Sequence, residues 1–205
     1  MTVTNTLTDT TVNKKPRLRP TDTGTSPRAG VLARPSRRSL MSTDAIVLLK
    51  NDHKQVATLF AQFEKKTTTK ARRGTIVTEV LRLLAIHTHI ENTIMYPEVA
   101  TVLPEVKDDV LESYEEHHVV DVLSAELAGM TPDDERFVAK FTVLMENVRH
   151  HVREEEDEWF PIVRKGMSRT QLREMGARMI AAKETAPEAP TPPSALKKVI
   201  DAVVS

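Results

Sequence analysis

Apolar residues recur at alternating intervals of three and four residues along four stretches of this chain. That period lies on one face of an α-helix and does not suit a β-strand, whose faces alternate every second residue. Four such helices with short connections predict an all-α fold, an up-down four-helix bundle. The inward stripes are Ile46, Leu49, His53, Val56, Phe60 and Phe63; Val80, Leu84, His87, Glu91 and Ile94; Val106, Val110, Tyr114 (or Ser113), His117, Val120 and Leu127; and Phe137, Phe141, Leu144, Val148, His151, Glu155, Trp159 and Ile162.

Capping residues and prolines predict where the helices begin and end. The first helix is expected near 43–66, and the second is expected to end around Pro97. The run 131–134, Thr-Pro-Asp-Asp, offers an N-cap, a proline at the first helical position and acidic residues in the first turn, so it predicts the start of the fourth helix. The pattern Ser168-x-x-Gln171 is typical of a capping box and predicts a shorter helix after the bundle.

These signals divide the chain into four parts. Residues 1–41 are rich in Thr, Pro and Arg without a hydrophobic period, so we predict a disordered basic tail, and Met41 is also a candidate start codon. The bundle is expected over 42–165 and an additional helix over 166–185. Residues 186–205 are predicted to form a Pro-rich linker and a weak terminal helix.

Composition excludes several classes of function. The chain contains no cysteine, which rules out disulfides, thiolate metal sites and cysteine nucleophiles. Its 29 basic and 29 acidic residues balance, and the basic tail lacks interleaved aromatic residues, so no nucleic-acid partner is expected. No apolar run approaches the roughly 18 residues of a membrane span, and no signal-peptide pattern occurs. A cytoplasmic protein without a membrane partner is therefore expected, and the oligomeric state stays open.

Six polar residues occupy positions that the helical period assigns to the core. They are His53, His87, Glu91, His117, His151 and Glu155. A buried, unpaired carboxylate costs on the order of several kcal/mol or else becomes neutral. Two glutamates and four imidazoles at one level of a bundle therefore predict a cation between them, and a metal ion is the simplest choice.

An internal repeat strengthens this prediction. His53 and His87 are 34 residues apart, as are His117 and His151, and a shift of 64 residues places the first pair on the second. Each half carries one histidine on its first helix and a His-x-x-x-Glu pair on its second. Nitrogen and oxygen donors without sulfur suit iron, manganese or zinc. Six ligands fit two ions, each with two histidines of one half, bridged by both glutamates.

The doublets His117-His118 and His150-His151 offer other choices of ligand. The alternative ligands are His118, His150 and Glu156. Only His117 and His151 keep both repeat intervals, whereas a neighbouring residue is turned about 100° from the inward face. The repeat therefore assigns His117 and His151 to the site.

These motifs resemble the hemerythrin-like family, the HHE cation-binding domain, over roughly residues 44–164. The resemblance rests on Asp52-His53, His87-Thr-His-Ile-Glu91-Asn-Thr-Ile-Met-Tyr96-Pro97, Glu116-His117 and His151-Val-Arg-Glu-Glu155-Glu-Asp-Glu-Trp-Phe160-Pro161. It implies a bundle with a centre of two non-haem iron ions, manganese or zinc being less favoured, held by the six residues above. It also implies a small-molecule partner, namely dioxygen, hydrogen peroxide or nitric oxide.

The chain departs from the pattern of the oxygen-carrying hemerythrins, which have a His-x-x-x-His on the third helix and an aspartate on the fourth. Here the corresponding residues are Asp121 and Glu155. A symmetric set leaves both irons open, which favours catalase-like or ferroxidase-like reaction with peroxide over reversible oxygen carriage. The alternative is a sensor of iron, oxygen or nitric oxide, or a metal store, without turnover. Tyr114, one turn before His117, is expected to point at the site, where it could be a proton donor, ligand or redox partner, but a core tyrosine is the favoured interpretation.

A chain that begins at Met41 is expected to fold and to load metal like the full chain, because residues 1–40 supply no periodic apolar face. Circular dichroism and the metal content of the two purified proteins check this prediction. Loss of bound metal or of solubility on shortening would contradict it.

Overall fold

The computed structural model describes residues 44–189, which form helices joined by short turns, with no strand among them. The basic tail and most of the segment 186–205 lie outside the described residues. The predicted all-α class is confirmed. In chain order the elements are α1 (Ala45–Glu64), α2 (Lys70–Ile90), a first π turn (Glu91–Met95), α3 (Tyr96–Val102), a 3₁₀ turn (Pro104–Val106), α4 (Lys107–Ala128), α5 (Phe137–Glu154), a second π turn (Glu155–Trp159), α6 (Phe160–Gly166) and α7 (Arg169–Lys183).

Two helical hairpins make up the bundle. Helix α1 packs on α2 and α4 packs on α5, each pair joined by a short loop, and α2 contacts α4 across the two hairpins. Helices α3 and α6 continue the paths of α2 and α5 beyond the π turns. Helix α7 lies against α1 and α2. The structure thus confirms an up-down four-helix bundle with a short additional C-terminal helix.

Local capping explains why several helices begin where they do. The Asp44 carboxylate accepts the backbone N–H of Val47 at the start of α1. The predicted capping box at α7 is present, because Ser168 accepts the N–H of Gln171 and Gln171 accepts the N–H of Ser168. Each such cap satisfies N–H groups that the first helical turn leaves without a partner.

The predicted start of the fourth helix at 131–134 is wrong. The Asp134 carboxylate accepts the backbone N–H and the hydroxyl of Thr131, and the Asp134 N–H donates back to the Thr131 carbonyl. These bonds close a turn in place of a helical N-terminus, so α5 begins only at Phe137. The local side-chain bonds compete successfully with the helix.

The predicted end of the second helix near Pro97 is also wrong. Pro97 lies in α3 directly after the first π turn, and the helical path continues through it to Val102. The proline has no N–H to donate, and the Asn92 carbonyl five residues earlier accepts the Tyr114 hydroxyl.

The two π turns begin 64 residues apart, at the same point of each half of the repeat. A π turn holds one residue more than an α turn, so it moves every later side chain by one position. The predicted stripe residue Ile94 is accordingly half-buried and Ile162 is 40% exposed, whereas Met95 and Val163 are buried. Beyond the glutamates the predicted Trp159 is buried, but Ile94 and Ile162 each stand one residue before the position that the structure buries.

The buried apolar residues form two separate clusters along the bundle. The first cluster includes Leu49, Ile90, Tyr114 and Phe160, and the second includes Val56, Leu84, Val120 and Val148. Helices α1, α2 and α4 each contribute to both clusters, and the path of α5 reaches the first cluster through the second π turn and α6. Each of the four paths carries a histidine between the two clusters. No helix among residues 44–189 has the length and apolar character needed to cross a membrane.

Replacing Gly166 with alanine is expected to destabilise the protein by about 1–3 kcal/mol, because a Cβ there would overlap the Leu103 side chain, with Cδ1 at 3.0 Å and Cγ at 3.3 Å. Thermal unfolding should show a fall of about 2–4 °C in Tm for each kcal/mol lost. The control is Gly129→Ala, whose Cβ would lie 3.5 Å from its nearest neighbour, the Glu126 carbonyl. Equal Tm values for the two variants would show that Leu103 leaves room for a side chain at position 166.

Candidate metal centre

The six polar residues singled out by the helical period lie together between the two apolar clusters. One histidine comes from each of the helices α1, α2, α4 and α5, and one glutamate begins each π turn. All are buried: His53 is 6% exposed, His87 and His151 are 5%, His117 is 2%, and Glu91 and Glu155 are fully buried. The bundle therefore shields this cluster from bulk water.

The first half of the cluster joins His53, His87 and the two glutamates. The Nε2 atoms of His53 and His87 are 3.2 Å apart. Glu155 Oε2 lies 3.2 Å from the Nε2 of His53, and Glu91 Oε2 lies 3.1 Å from the Nε2 of His87. These four side chains offer donor atoms within 4.8 Å of one another.

The second half repeats this arrangement. The Nε2 atoms of His117 and His151 are 3.1 Å apart. Glu91 Oε2 lies 3.5 Å from the Nε2 of His117, and Glu155 Oε2 lies 3.6 Å from the Nε2 of His151. Each glutamate therefore contacts one histidine from each half, which is the position of a bridging carboxylate.

Three of the four carboxylate oxygens of the glutamates lack hydrogen-bond partners. Both oxygens of Glu91 and the Oε2 of Glu155 make no hydrogen bond, although imidazole nitrogens lie close by. The imidazole nitrogens and these oxygens converge on shared points. Because unpaired buried polar groups are costly, this geometry fits residues that hold a cation. Imidazole nitrogen and carboxylate oxygen form a chemically sound donor set for divalent iron, manganese or zinc.

The outer ring nitrogen, Nδ1, of each histidine faces a polar group that orients the ring. The distances are 2.8 Å from His53 to Glu156 Oε1, 3.5 Å from His87 to Asp52 Oδ2, 2.8 Å from His117 to Asn92 Oδ1, and 2.7 Å from His151 to Glu116 Oε2. When Nδ1–H donates outward, the lone pair of Nε2 points into the cluster, as a metal ligand requires.

The outer contacts follow the 64-residue repeat but differ in chemistry. The residue after each glutamate contacts the outer nitrogen of a histidine in the other half. Asn92, an amide, contacts His117, and Glu156, a carboxylate, contacts His53. Tyr96 stacks on His117 with centroids 5.4 Å apart, while Phe160 stacks on His53 at 6.1 Å. The surroundings are therefore less symmetric than the six central residues.

Burial and charge push the titration of the two glutamates in opposite directions. Burial and the neighbouring charge of Glu155 raise the pKa of Glu91 well above its ordinary value. Burial also opposes ionisation of Glu155, but His151 and His53 outweigh it and lower the pKa of that carboxyl. Without a metal ion, Glu91 therefore keeps its proton to higher pH than an ordinary glutamate, whereas Glu155 loses its proton at lower pH.

Among the histidines, burial and the neighbouring His151 lower the pKa of His117 well below its ordinary value. Burial likewise lowers the pKa of His87. Both rings are therefore neutral near pH 7, which is the state that binds a metal ion.

The tyrosine that contacts the cluster is Tyr96, which the helical period did not assign to the site. Its hydroxyl donates to Glu155 Oε1 at 3.0 Å and lies 3.3 Å from the Nε2 of His117. The Tyr114 hydroxyl, expected to point at the site, donates to the Asn92 carbonyl at 3.1 Å. The first π turn rotates Tyr96 inward, and only the pairing of Tyr96 with Phe160 in the repeat hinted at this position.

The alternative ligands take other places. His118 is half-buried, and His150 has a side chain that is 54% exposed and lies 3.2 Å from Glu154. Glu156 contacts the outer nitrogen of His53, so it orients a ring and does not face the cluster. None of these three side chains joins the buried groups of donor atoms among the described residues.

A small cavity of about 20 Å³ adjoins the four histidines. Neither Glu91 nor Glu155 lines it, so it lies on the side of the imidazoles that faces the second apolar cluster. A space of this size holds about one water-sized molecule. The apolar part of its wall consists of Val56, Leu84, Val120, Val148 and Val152.

The segment of the chain that forms the bundle is also the segment that resembles known proteins. Residues 44–163 match the family described as Hemerythrin HHE cation binding domain. The fold is similar to the crystal structure of a hemerythrin HHE cation-binding-domain-containing protein from Mycobacterium kansasii, with a TM-score of 0.58 and 21% identity, covering 70% of this chain and 86% of that one. A DNA nickase from Nostoc sp. is 24% identical over 136 residues. That match covers 66% of this chain and 38% of the nickase.

Replacing Glu91 with glutamine is expected to stabilise the metal-free protein at pH 8. The folded protein keeps the Glu91 proton to higher pH than the unfolded chain, which releases it above the ordinary pKa of 4.5. The stability linked to this proton is therefore complete below that pH and is lost as the pH rises. Glutamine cannot titrate, so at pH 8 the variant should gain at least about 1 kcal/mol, or roughly 2–4 °C in Tm.

The matched control is Glu155→Gln, at the repeat-related position, which removes a carboxylate that is ionised in the folded protein. It should lower the Tm of the metal-free protein at pH 8. Thermal unfolding between pH 5 and pH 8 measures both variants. A fall in Tm for Glu91→Gln, or the same change for both, would show that the two carboxyls are not differently protonated.

Proposed function

Because the chain belongs to the Hemerythrin HHE cation binding domain family, we propose that its buried cluster holds two non-haem iron ions and reacts with hydrogen peroxide or dioxygen. The observation that carries this proposal is the convergence of four imidazole nitrogens on two carboxylates, of whose four oxygens only Glu155 Oε1, which accepts from Tyr96, has a hydrogen-bond partner. Bound iron would supply the redox chemistry. The protein supplies the ligands, the hydrogen bonds around them and the dry surroundings.

We assign the ligands by halves. His53 and His87 would hold one ion, His117 and His151 the other, and both glutamates would bridge. Six protein ligands exceed what one four-coordinate zinc ion uses. A set with four imidazoles also departs from the oxygen-rich sites that suit manganese, so iron is the favoured metal.

Two features of the protein favour a small oxidant as the reacting partner. The cavity beside the histidines has room for one small molecule and an apolar wall of valines and a leucine. Tyr96 keeps its proton, since burial and Glu155 raise the pKa of its phenol well above the ordinary value. It can therefore hold a hydrogen bond to Glu155 and fix the orientation of that carboxylate next to His117.

Metal content and peroxide reactivity of the purified protein test the proposal. The iron-loaded protein should contain two ions per chain, and adding hydrogen peroxide should change its optical spectrum and evolve oxygen. His117→Ala should remove most of the metal, because it deletes a buried ligand that contacts Glu91 and His151. Metal loss on the order of tenfold or more is expected.

The control variant is His118→Ala, the adjacent residue, which lies off the inward face and should keep close to two ions. The reverse outcome for the two histidines would overturn the ligand assignment. Two bound ions without oxygen evolution or substrate oxidation would refute the peroxide reaction and favour a sensor or metal store. Repeated, reversible release of dioxygen under vacuum would instead identify a carrier.

A further inference from the structure

Lys183, the last residue of α7, forms an ion pair that reaches the edge of the cluster. Its Nζ lies 2.6 Å from Oδ1 and 2.5 Å from Oδ2 of Asp52, so it occupies both carboxylate oxygens. Helix α7 is anchored on the bundle by its buried residues Leu172, Met175 and Met179. Helix α7, which lies outside the four-helix bundle, thereby forms an ion pair with Asp52, the residue that precedes His53.

Asp52 is also the outer partner of His87, and the repeat supplies its counterpart. A shift of 64 residues places Asp52 on Glu116 and His87 on His151. The Glu116 carboxylate lies 2.7 Å from the Nδ1 of His151, a short charge-assisted hydrogen bond. The corresponding distance from Asp52 to the Nδ1 of His87 is 3.5 Å, and this nitrogen has no hydrogen-bond partner.

The lysine accounts for the difference between these two pairs. Within residues 44–189, no lysine or arginine pairs with Glu116, whose other neighbours are the Nε2 of His150 at 3.6 Å and the carboxylate of Glu154. Asp52, by contrast, has its charge neutralised and its oxygens engaged by Lys183. Helix α7 packs on the α1–α2 side, so the second half of the described bundle has no equivalent of this contact.

We propose that Lys183 is a positioning residue that draws Asp52 away from His87 and so makes the His53–His87 half the weaker of the two metal sites. An outer carboxylate orients a metal-binding imidazole and raises its basicity, and both effects diminish when the hydrogen bond is lost. This inference rests on the proposed two-metal function and adds the order in which the two halves bind their ions. The His117–His151 half fills first, and α7 sets the affinity of the other half.

A second lysine near the same half pairs with an outer carboxylate without breaking the hydrogen bond of that carboxylate to its histidine. Lys50 Nζ lies 3.2 Å from Glu156 Oε2, while the Nδ1 of His53 is bonded to the other oxygen, Oε1, at 2.8 Å. Here lysine and histidine share the carboxylate without competing. Removing Lys50 therefore deletes the same charge as removing Lys183 but leaves the ring of its histidine as it was.

Calorimetric titration of the metal-free full-length protein with Co²⁺, a stable substitute for Fe²⁺, tests this inference. The wild type should bind two ions in separate steps. Lys183→Met should tighten the weaker step by about tenfold, the lower end of what outer partners of metal ligands contribute, and leave the tighter step unchanged. Lys183→Arg should behave like the wild type because it restores the ion pair, and Lys50→Met should change neither step by more than about twofold.

A double variant separates an effect on Asp52 from a general effect on folding. In the Asp52→Asn background, Lys183→Met should no longer alter the weaker step, because its route to His87 is gone. Lys183→Gln is measured in parallel, and the Tm of each metal-free variant shows that it folds. Two equal steps in the wild type, or a weaker step that Lys183→Met leaves unchanged, would overturn this inference alone. Failure of the wild type to bind two ions, or binding of two Co²⁺ ions that persists in His117→Ala, would refute the proposed function itself.

Discussion

Two glutamate carboxylates buried among four imidazoles are the constraint on which this structure depends. Glu91 and Glu155 have no exposure to solvent, and most of their oxygens lack hydrogen-bond partners. An apolar cluster lies on each side of this layer. Those clusters supply the hydrophobic stabilisation that offsets the cost of a polar layer in the core. The same burial raises the pKa of one glutamate, lowers the pKa of two histidines and keeps bulk water from the cluster.

The duplicated halves give the six central residues an approximate symmetry, but the side chains that surround them differ between the two halves. The central residues recur at an interval of 64 residues, as do the π turns and the positions of the outer polar residues. The outer residues themselves have diverged, with an amide opposite a carboxylate and a phenol opposite a phenyl ring. Helix α7 adds a lysine on one side only. The two halves of the cluster carry the same pair of histidines but are thereby placed in different electrostatic surroundings.

The π turns mark the limit of prediction from helical periodicity. Up to Glu91 and Glu155 a constant period placed the buried residues correctly, and the six polar positions read from it do lie together. Beyond each glutamate, one extra residue shifted the inward face, which exposed Ile162 and turned Tyr96 toward the cluster. The start of α5 was missed for a different reason, since Thr131 and Asp134 bond to each other in a turn.

The sequence by itself determined the helical class, the capping box of α7, the duplicated motif and the six buried polar positions. It could do so because these features depend on spacing along one helix, which a period of 3.6 residues converts into a face. Only the tertiary structure decided which tyrosine meets Glu155, which residue orients each imidazole, and that Lys183 reaches Asp52. These contacts join residues far apart in the chain, such as His53 with Glu156 and Asp52 with Lys183. Their geometry depends on how the helices pack and where a π turn rotates the chain, and no spacing along a single helix carries that information.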